Sequence, residues 1–187
     1  MSILLFGMNK TILIGAGILF AVILGGFVVF GRKSAGSPAT QTGSQQPSGS
    51  IEACAILTPE IAASVLGTDV KLSTEPVTQL QVKNITVTSC TYSTKNPATP
   101  RDVVIVSLLI RRATDQAEAK TIFETSKQTF QGVDVSMQGV DGAFWSASLQ
   151  QLNLLKGRDW YIITAGKVGT KTQEQAVKVA GLILPKL

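Results

Sequence analysis

The run Val103-Val-Ile-Val-Ser-Leu-Leu-Ile110 is the most apolar stretch in the second half of the chain. Its residues are aliphatic apart from one serine, and five of them are β-branched. A short, continuous aliphatic run of this kind is typical of a strand that lies at the centre of a sheet and is buried on both faces. We therefore expect a sheet built around Val103–Ile110, with other elements covering both of its faces.

Further strands are predicted on both sides of this run. They alternate between apolar and polar residues, or carry many β-branched residues, as half-buried strands do. The last two regions form a hairpin or meander that turns at Lys156-Gly157-Arg158. The predicted strand regions are Asp69–Ser73, Leu80–Thr94, Val133–Met137, Gly142–Leu155 and Asp159–Ala165.

Three helices are predicted from their start and stop signals. Thr58-Pro59-Glu60 combines an N-cap residue, a proline in the first turn and an acidic residue, and Gly67 provides the stop. A second helix runs from Thr114 to about Phe130, and a capping-box pattern at Thr172 and Gln175 begins a third. Strands adjacent in sequence, with helices between them, predict an α+β fold with an antiparallel sheet covered by helices.

Cys54 and Cys90 are the two cysteines of the chain. They lie before the first predicted helix and within a predicted strand, and a bond between them would close a loop of about 37 residues, worth about 4 kcal/mol in the chain-entropy model. A reactive thiol pair is the alternative, but redox motifs use closer spacing such as Cys-x-x-Cys. We predict a structural disulfide.

A membrane anchor is predicted near the N-terminus. Thr11–Phe30 contains 20 uncharged residues between Lys10 and the pair Arg32-Lys33, and as a helix it would span about 30 Å, the thickness of the hydrocarbon layer. The alternative is a cleaved secretory signal, whose apolar core is shorter. We therefore expect residues 1–31 to form a short cytoplasmic N-terminus and a transmembrane helix that precedes the α+β domain.

Small residues recur in this segment at Gly17, Ala21 and Gly25. Such a stripe allows two membrane helices to pack closely and predicts a weak homodimer, although small residues are common in membrane helices anyway. Residues 32–50 are rich in Ser, Gly, Gln and Thr and lack large apolar residues, so they are predicted to be a flexible linker. The remaining residues, 51–187, form the predicted domain.

The charges flanking the anchor are nearly tied and leave its orientation open. A cysteine pair persists in oxidising compartments. We therefore predict a single-pass protein of the plasma membrane whose C-terminal domain lies outside the cytoplasm.

Composition excludes several classes of function. The chain has no histidine, which rules out Ser-His-Asp triads and histidine-ligated metals, and two cysteines are too few for a four-cysteine zinc site. Of the net charge of +5, the first 50 residues carry +3 through Lys10, Arg32 and Lys33, so the domain lacks the basic character of a nucleic-acid binder. We expect no metal, no cofactor and no nucleic-acid partner.

Four short motifs carry a resemblance to a known family. They are Cys54-Ala-Ile-Leu-Thr-Pro-Glu60 with Leu66-Gly67, Cys90-Thr-Tyr92, Gly139-Val-Asp-Gly-Ala-Phe-Trp145 and Gly157-Arg-Asp-Trp-Tyr161. This layout resembles a bacterial lipoprotein family of unknown function and is similar to the extracytoplasmic sensor domain of a mycobacterial serine/threonine kinase. The resemblance implies an extracytoplasmic α+β domain with a ligand cleft and supplies no catalytic residues.

Asp141, Trp145, Trp160 and Tyr161 are the candidate ligand-binding residues. Glycines flank Val140-Asp141 and allow a ligand to approach the backbone, while Trp and Tyr combine apolar faces with polar tips. The alternative is that these aromatic residues belong to the core.

The function expected from these features is a membrane-anchored, non-catalytic binding or sensing module of the cell envelope. Its partner would be a small molecule or an envelope protein. The alternative is a small structural or accessory subunit of an envelope complex. An enzyme that uses carboxylates or a serine–lysine pair ranks third, since no complete catalytic motif is present.

Overall fold

A computed structural model describes residues 51–167 and 169–187. The predicted membrane helix, the stripe of Gly17, Ala21 and Gly25, and the linker 32–50 lie outside the described residues. Within the described ranges, no helix combines the length and the apolar character needed to cross a membrane.

The described residues form an α+β fold with a large antiparallel sheet, as predicted. The strands lie in the order β1-β3-β4-β8-β7-β6-β5, β2 also pairs with β3, and β9 also pairs with β8. The strands are β1 (Val70–Leu72), β2 (Val77–Val82), β3 (Ile85–Thr94), β4 (Val104–Arg112), β5 (Val133–Asp134), β6 (Gly142–Ser146), β7 (Gln151–Lys156), β8 (Asp159–Lys167) and β9 (Thr170–Lys171).

Four α-helices and two short 3₁₀ helices accompany this sheet in the described ranges. The α-helices are α1 (Ala53–Ile56), α2 (Pro59–Leu66), α3 (Gln116–Thr129) and α4 (Gln173–Ile183), and the 3₁₀ helices span Pro100–Asp102 and Leu184–Lys186.

The predicted central strand is confirmed as β4, which pairs with β3 on one side and β8 on the other. Successive side chains of a strand point to opposite faces. On one face, alternate residues of β4 and β8 join α1, α2 and α4 in a large core that includes Leu108, Ile163 and Val179. On the other face, α3 covers a small core through Phe123, whose ring lies 4.9 Å from that of Phe144.

The helix signals are largely confirmed. Thr58 caps α2 by accepting a hydrogen bond from the backbone N–H of Ile61, and Gly67 ends the helix with a φ of 68°. Thr172 caps α4 through the N–H of Gln175. Helix α3 begins at Gln116, two residues after the predicted start at Thr114. Its N-cap is Asp115, whose carboxylate accepts from the backbone N–H of Glu118 at 2.8 Å.

Three strand predictions need correction. Leu80–Thr94 is not one strand, because the chain reverses at Lys83-Asn84 and forms the β2–β3 hairpin. Gly142–Leu155 likewise divides into β6 and β7. The strand predicted over Val133–Met137 stops at Asp134, because the apolar residues that follow it turn to pack against the large core.

The disulfide between Cys54 and Cys90 is confirmed, with 5.1 Å between the two Cα atoms. It joins α1 to β3, and Cys90 is almost completely buried. The backbone N–H of Ala53 also donates to the hydroxyl of Thr88 at 3.3 Å. These two links hold α1, the first described helix, against the sheet.

Removal of the disulfide by the double substitution Cys54→Ala and Cys90→Ala is expected to lower the free energy of unfolding by about 4 kcal/mol, because the unfolded chain regains the freedom of a long loop. Urea unfolding without reductant measures this difference. Reductant should destabilise the natural protein and leave the double variant unchanged. A loss below about 1 kcal/mol would show that the crosslink adds little to stability.

Candidate functional site

An open cleft of about 490 Å³ lies at one end of the sheet. Strand β4 ends there at Arg112, β7 ends at Lys156, and β8 begins at Asp159. Helix α1 and the Leu184–Lys186 turn form the other walls. The lining residues are Ile51, Glu52, Ala55, Ile56, Arg112, Lys156, Gly157, Asp159, Tyr161, Lys186 and Leu187.

An ion pair between Arg112 and Asp159 forms the polar wall of this cleft. The two residues are direct partners in the β4–β8 register. Arg112 Nε lies 2.6 Å from Asp159 Oδ1, and Nη2 lies 2.8 Å from Oδ2, so the contact is bidentate. The side chains are only 19% and 10% exposed. Charge-assisted bidentate pairs are stronger and more directional than neutral hydrogen bonds, so this pair fixes the ends of both central strands.

Tyr161 extends the same polar group toward the core. It lies two residues after Asp159 on β8 and therefore on the same face of the sheet, and its hydroxyl donates to Asp159 Oδ2 at 3.5 Å. Burial raises the pKa of the Tyr161 phenol above its ordinary value of 10.0, and the charge of Asp159 raises it further. The hydrogen bond to Asp159 raises the pKa of Arg112 as well. The phenol is therefore a neutral donor at physiological pH.

The rest of the cleft combines apolar side chains with further charges. Ile51, Ala55 and Ile56 supply apolar surface from α1 and the residues before it. Lys156 Nζ donates to the carbonyl oxygen of Leu187 at 3.2 Å. Three lining side chains are cationic and two are anionic, so charges of both signs lie in the cleft.

Only one of the four predicted binding residues lines this cleft, namely Tyr161. Trp160 points to the opposite face, where it is 4% exposed and its ring packs edge-on against Phe123. Its indole N–H donates to Asn153 Oδ1 at 3.1 Å, and the guanidinium of Arg111 lies 4.7 Å from its ring centroid.

The other two predicted residues also lie outside the cleft lining. Asp141 is exposed, and its carboxylate accepts a hydrogen bond from the backbone N–H of Gly157 at 2.6 Å. It therefore braces the β7–β8 turn, where Gly157 adopts a φ of 60°. Trp145 is half-buried and packs against the large core. The structure does not bring these residues and Tyr161 together into one pocket.

Sequence reasoning missed Arg112, Lys156 and Asp159 as site residues. The alternation of the strands carries a usable signal, because Arg112 follows Leu108 and Ile110 on the buried face of β4. Asp159 likewise precedes Tyr161 and Ile163 on the same face of β8. Arg112 lies two residues beyond the predicted strand Val103–Ile110 but in phase with its buried face. Charged residues in phase with the buried faces of two strands indicate an internal ion pair.

The described residues offer little for metal binding. Among them, no three cysteine, aspartate or glutamate side chains lie close enough together to hold a metal ion. The arrangement at the cleft instead offers hydrogen-bond donors, cations and apolar surface.

The buried phenol predicts a loss of stability at high pH. Because the pKa of Tyr161 is raised in the folded state, its stabilising contribution is complete below the unfolded-state pKa of about 10 and is lost as the pH rises toward the folded-state value. Between about pH 10 and pH 11, the free energy of unfolding of the natural protein should fall by about 1 kcal/mol more than that of Tyr161→Phe. Urea unfolding of both proteins at each pH measures this difference. Equal losses of stability in the two proteins would contradict a raised pKa of Tyr161 in the folded state.

No family model, curated protein or solved structure matches this chain. The resemblance to the bacterial lipoprotein family therefore stays a prediction, and the candidate site stands on its own geometry.

Proposed function

We propose that residues 51–187 form a non-catalytic binding or sensing module of the cell envelope, with the cleft at the end of β4 and β8 as its binding site. In this proposal a transmembrane helix at 11–30 anchors the module, and the domain lies outside the cytoplasm. One observation carries the proposal: the cleft joins apolar surface to a convergent polar cluster of Arg112, Asp159 and Tyr161. Binding sites for small molecules have this composition.

The chemistry of the cluster supports binding rather than catalysis. Arg112 engages both oxygens of Asp159, so this carboxylate is poorly placed to accept a proton from a substrate. The raised pKa of Tyr161 disfavours the phenolate that a general base would need. No histidine is available in the sequence to take either role.

The lining supports a ligand that combines an apolar part with an anionic group. Ile51, Ala55 and Ile56 would contact the apolar part, and Lys156 and Lys186 would face the anionic group. Lys186 is exposed, and no hydrogen bond or ion pair of its side chain occurs within the described residues. Its charge acts on Glu60, whose carboxyl pKa it helps to lower, and its exposed ammonium group is accessible to an anion in the cleft.

The point at which the linker joins the domain also supports an envelope role. Ile51 and Glu52 line the cleft and directly follow the linker 32–50 in the chain. If these residues form the flexible linker that their composition predicts, they reach about 20–25 Å. A module held in this way would sample ligands close to the membrane surface.

An accessory subunit of an envelope complex is the second candidate function. The observation that favours it is the aliphatic surface of β2, where Val77, Leu80 and Val82 are exposed. Exposed apolar groups of this kind mark protein contacts. The two functions are compatible, because the cleft and this surface involve different residues.

Filling the cleft with a bulky side chain is expected to block binding. Ala55 is exposed and lines the cleft, so Ala55→Trp would occupy the apolar part without disturbing either core. The probe is anilinonaphthalene sulfonate, an apolar fluorophore with one anionic group. Its affinity for residues 51–187, measured by fluorescence titration, should fall about tenfold, or about 1.4 kcal/mol.

Ala117→Trp provides the matched control for this experiment. Ala117 is also an exposed helical alanine, but it lies on α3 and outside the cleft lining. This variant should keep the affinity of the natural protein, and both variants should unfold at similar urea concentrations. Equal affinities of the two variants would reject the cleft as the binding site.

A further inference from the structure

The outer edge of β2 is unpaired within the described part of the chain, where β2 pairs only with β3. The strand reads Val77-Thr-Gln-Leu-Gln-Val82 and contains no charged residue. Free edges in natural proteins usually carry charges or proline that prevent association with other strands. This edge has neither within the strand, and a bulge between Val77 and Leu80 is the one irregularity in its register.

The apolar side chains of this edge all lie on one face of the sheet. Val77, Leu80 and Val82 are partners of Ser89, Val87 and Ile85 on β3, and cross-strand partners share a face. That face is opposite to the one on which Cys90 and Tyr92 enter the large core. Helix α3 covers the same face only near Phe144, Leu155 and Trp160. Leu80 is therefore left 53% exposed.

The charges at the two ends of β2 select one type of partner. Glu75 precedes the strand and Lys83 follows it, both are exposed, and neither forms an ion pair within the described residues. In an antiparallel pair of two identical strands, the Glu75 end of one copy meets the Lys83 end of the other. The same chain therefore provides a partner with complementary charge at both junctions.

We infer that β2 is the contact surface for a second copy of this chain, with the two β2 strands side by side and antiparallel about a two-fold axis. Such an interface is closed, so it gives a dimer rather than a fibre. The bulge limits regular hydrogen bonding between the copies, so contact between Val77, Leu80 and Val82 and their counterparts supplies most of the attraction. This inference does not depend on the proposed ligand site.

The test measures self-association of the full chain in phospholipid vesicles. Copies labelled at the N-terminus with donor or acceptor fluorophores are mixed, and energy transfer is followed as lipid is added. Leu80→Lys should weaken association at least about tenfold, because it places a charge in the apolar contact. Leu182→Lys is the matched control, since Leu182 is an exposed leucine on α4, and it should associate like the natural chain.

Charge reversal tests the antiparallel arrangement itself. Glu75→Lys and Lys83→Glu each place like charges at both junctions, so each variant alone should associate about tenfold more weakly. A mixture of the two variants restores opposite charges at both junctions and should recover the natural energy transfer. Circular dichroism of each variant confirms that it is folded.

Several outcomes would overturn the inference. One is that the natural chain shows no more energy transfer than labelled copies that are distributed at random in the vesicles. Another is unchanged energy transfer in Leu80→Lys. That result would mean that the copies associate through the predicted membrane segment, or that β2 contacts a different partner. A third is a mixture of the two charge variants that associates no better than either variant alone.

Discussion

Burial of β4 and β8 on both faces is the constraint on which the rest of the structure depends. Strands of this kind are stable only if other elements cover each face. Helices α1, α2 and α4 cover one face, and α3 covers the other. The coverage is tightest on the face toward α1, α2 and α4, where Val106, Leu108 and Ile110 are buried, and Leu109 on the α3 face is half-buried. It ends at the Arg112–Asp159 end of the strands and at the β2 edge. The cleft and the exposed aliphatic surface lie at these two places.

The Arg112–Asp159 pair shows how the uncovered end of the central strands is stabilised. A buried charge without a partner would cost several kcal/mol, and here each charge meets the other in a bidentate contact. Tyr161 adds a neutral donor beneath the pair. The same arrangement keeps polar groups fixed at the wall of an otherwise apolar cleft. Stability of the strand ends and preorganisation of the proposed site thus rest on the same contacts.

The sequence was sufficient for features that depend on local signals. The caps at Thr58 and Thr172, the central strand and the fold class follow from spacing and residue type, and the cysteine pair follows from its count. It was not sufficient where distant residues meet. Adjacent aromatic residues such as Trp160 and Tyr161 were expected in one pocket, but strand alternation sends them to opposite faces. Strand alternation places Arg112 and Asp159 each on a buried face, but that they meet depends on strand register over 47 residues, which no local pattern specifies.

The most direct test of the proposed binding site is a backbone amide chemical-shift titration of residues 51–187 with anilinonaphthalene sulfonate. This measurement locates the probe residue by residue and separates the cleft from the β2 surface. Our account predicts the largest shifts at Glu52, Gly157 and Leu187, which lie around the cleft. Shifts concentrated at Val77–Val82, with the cleft residues unchanged, would contradict it.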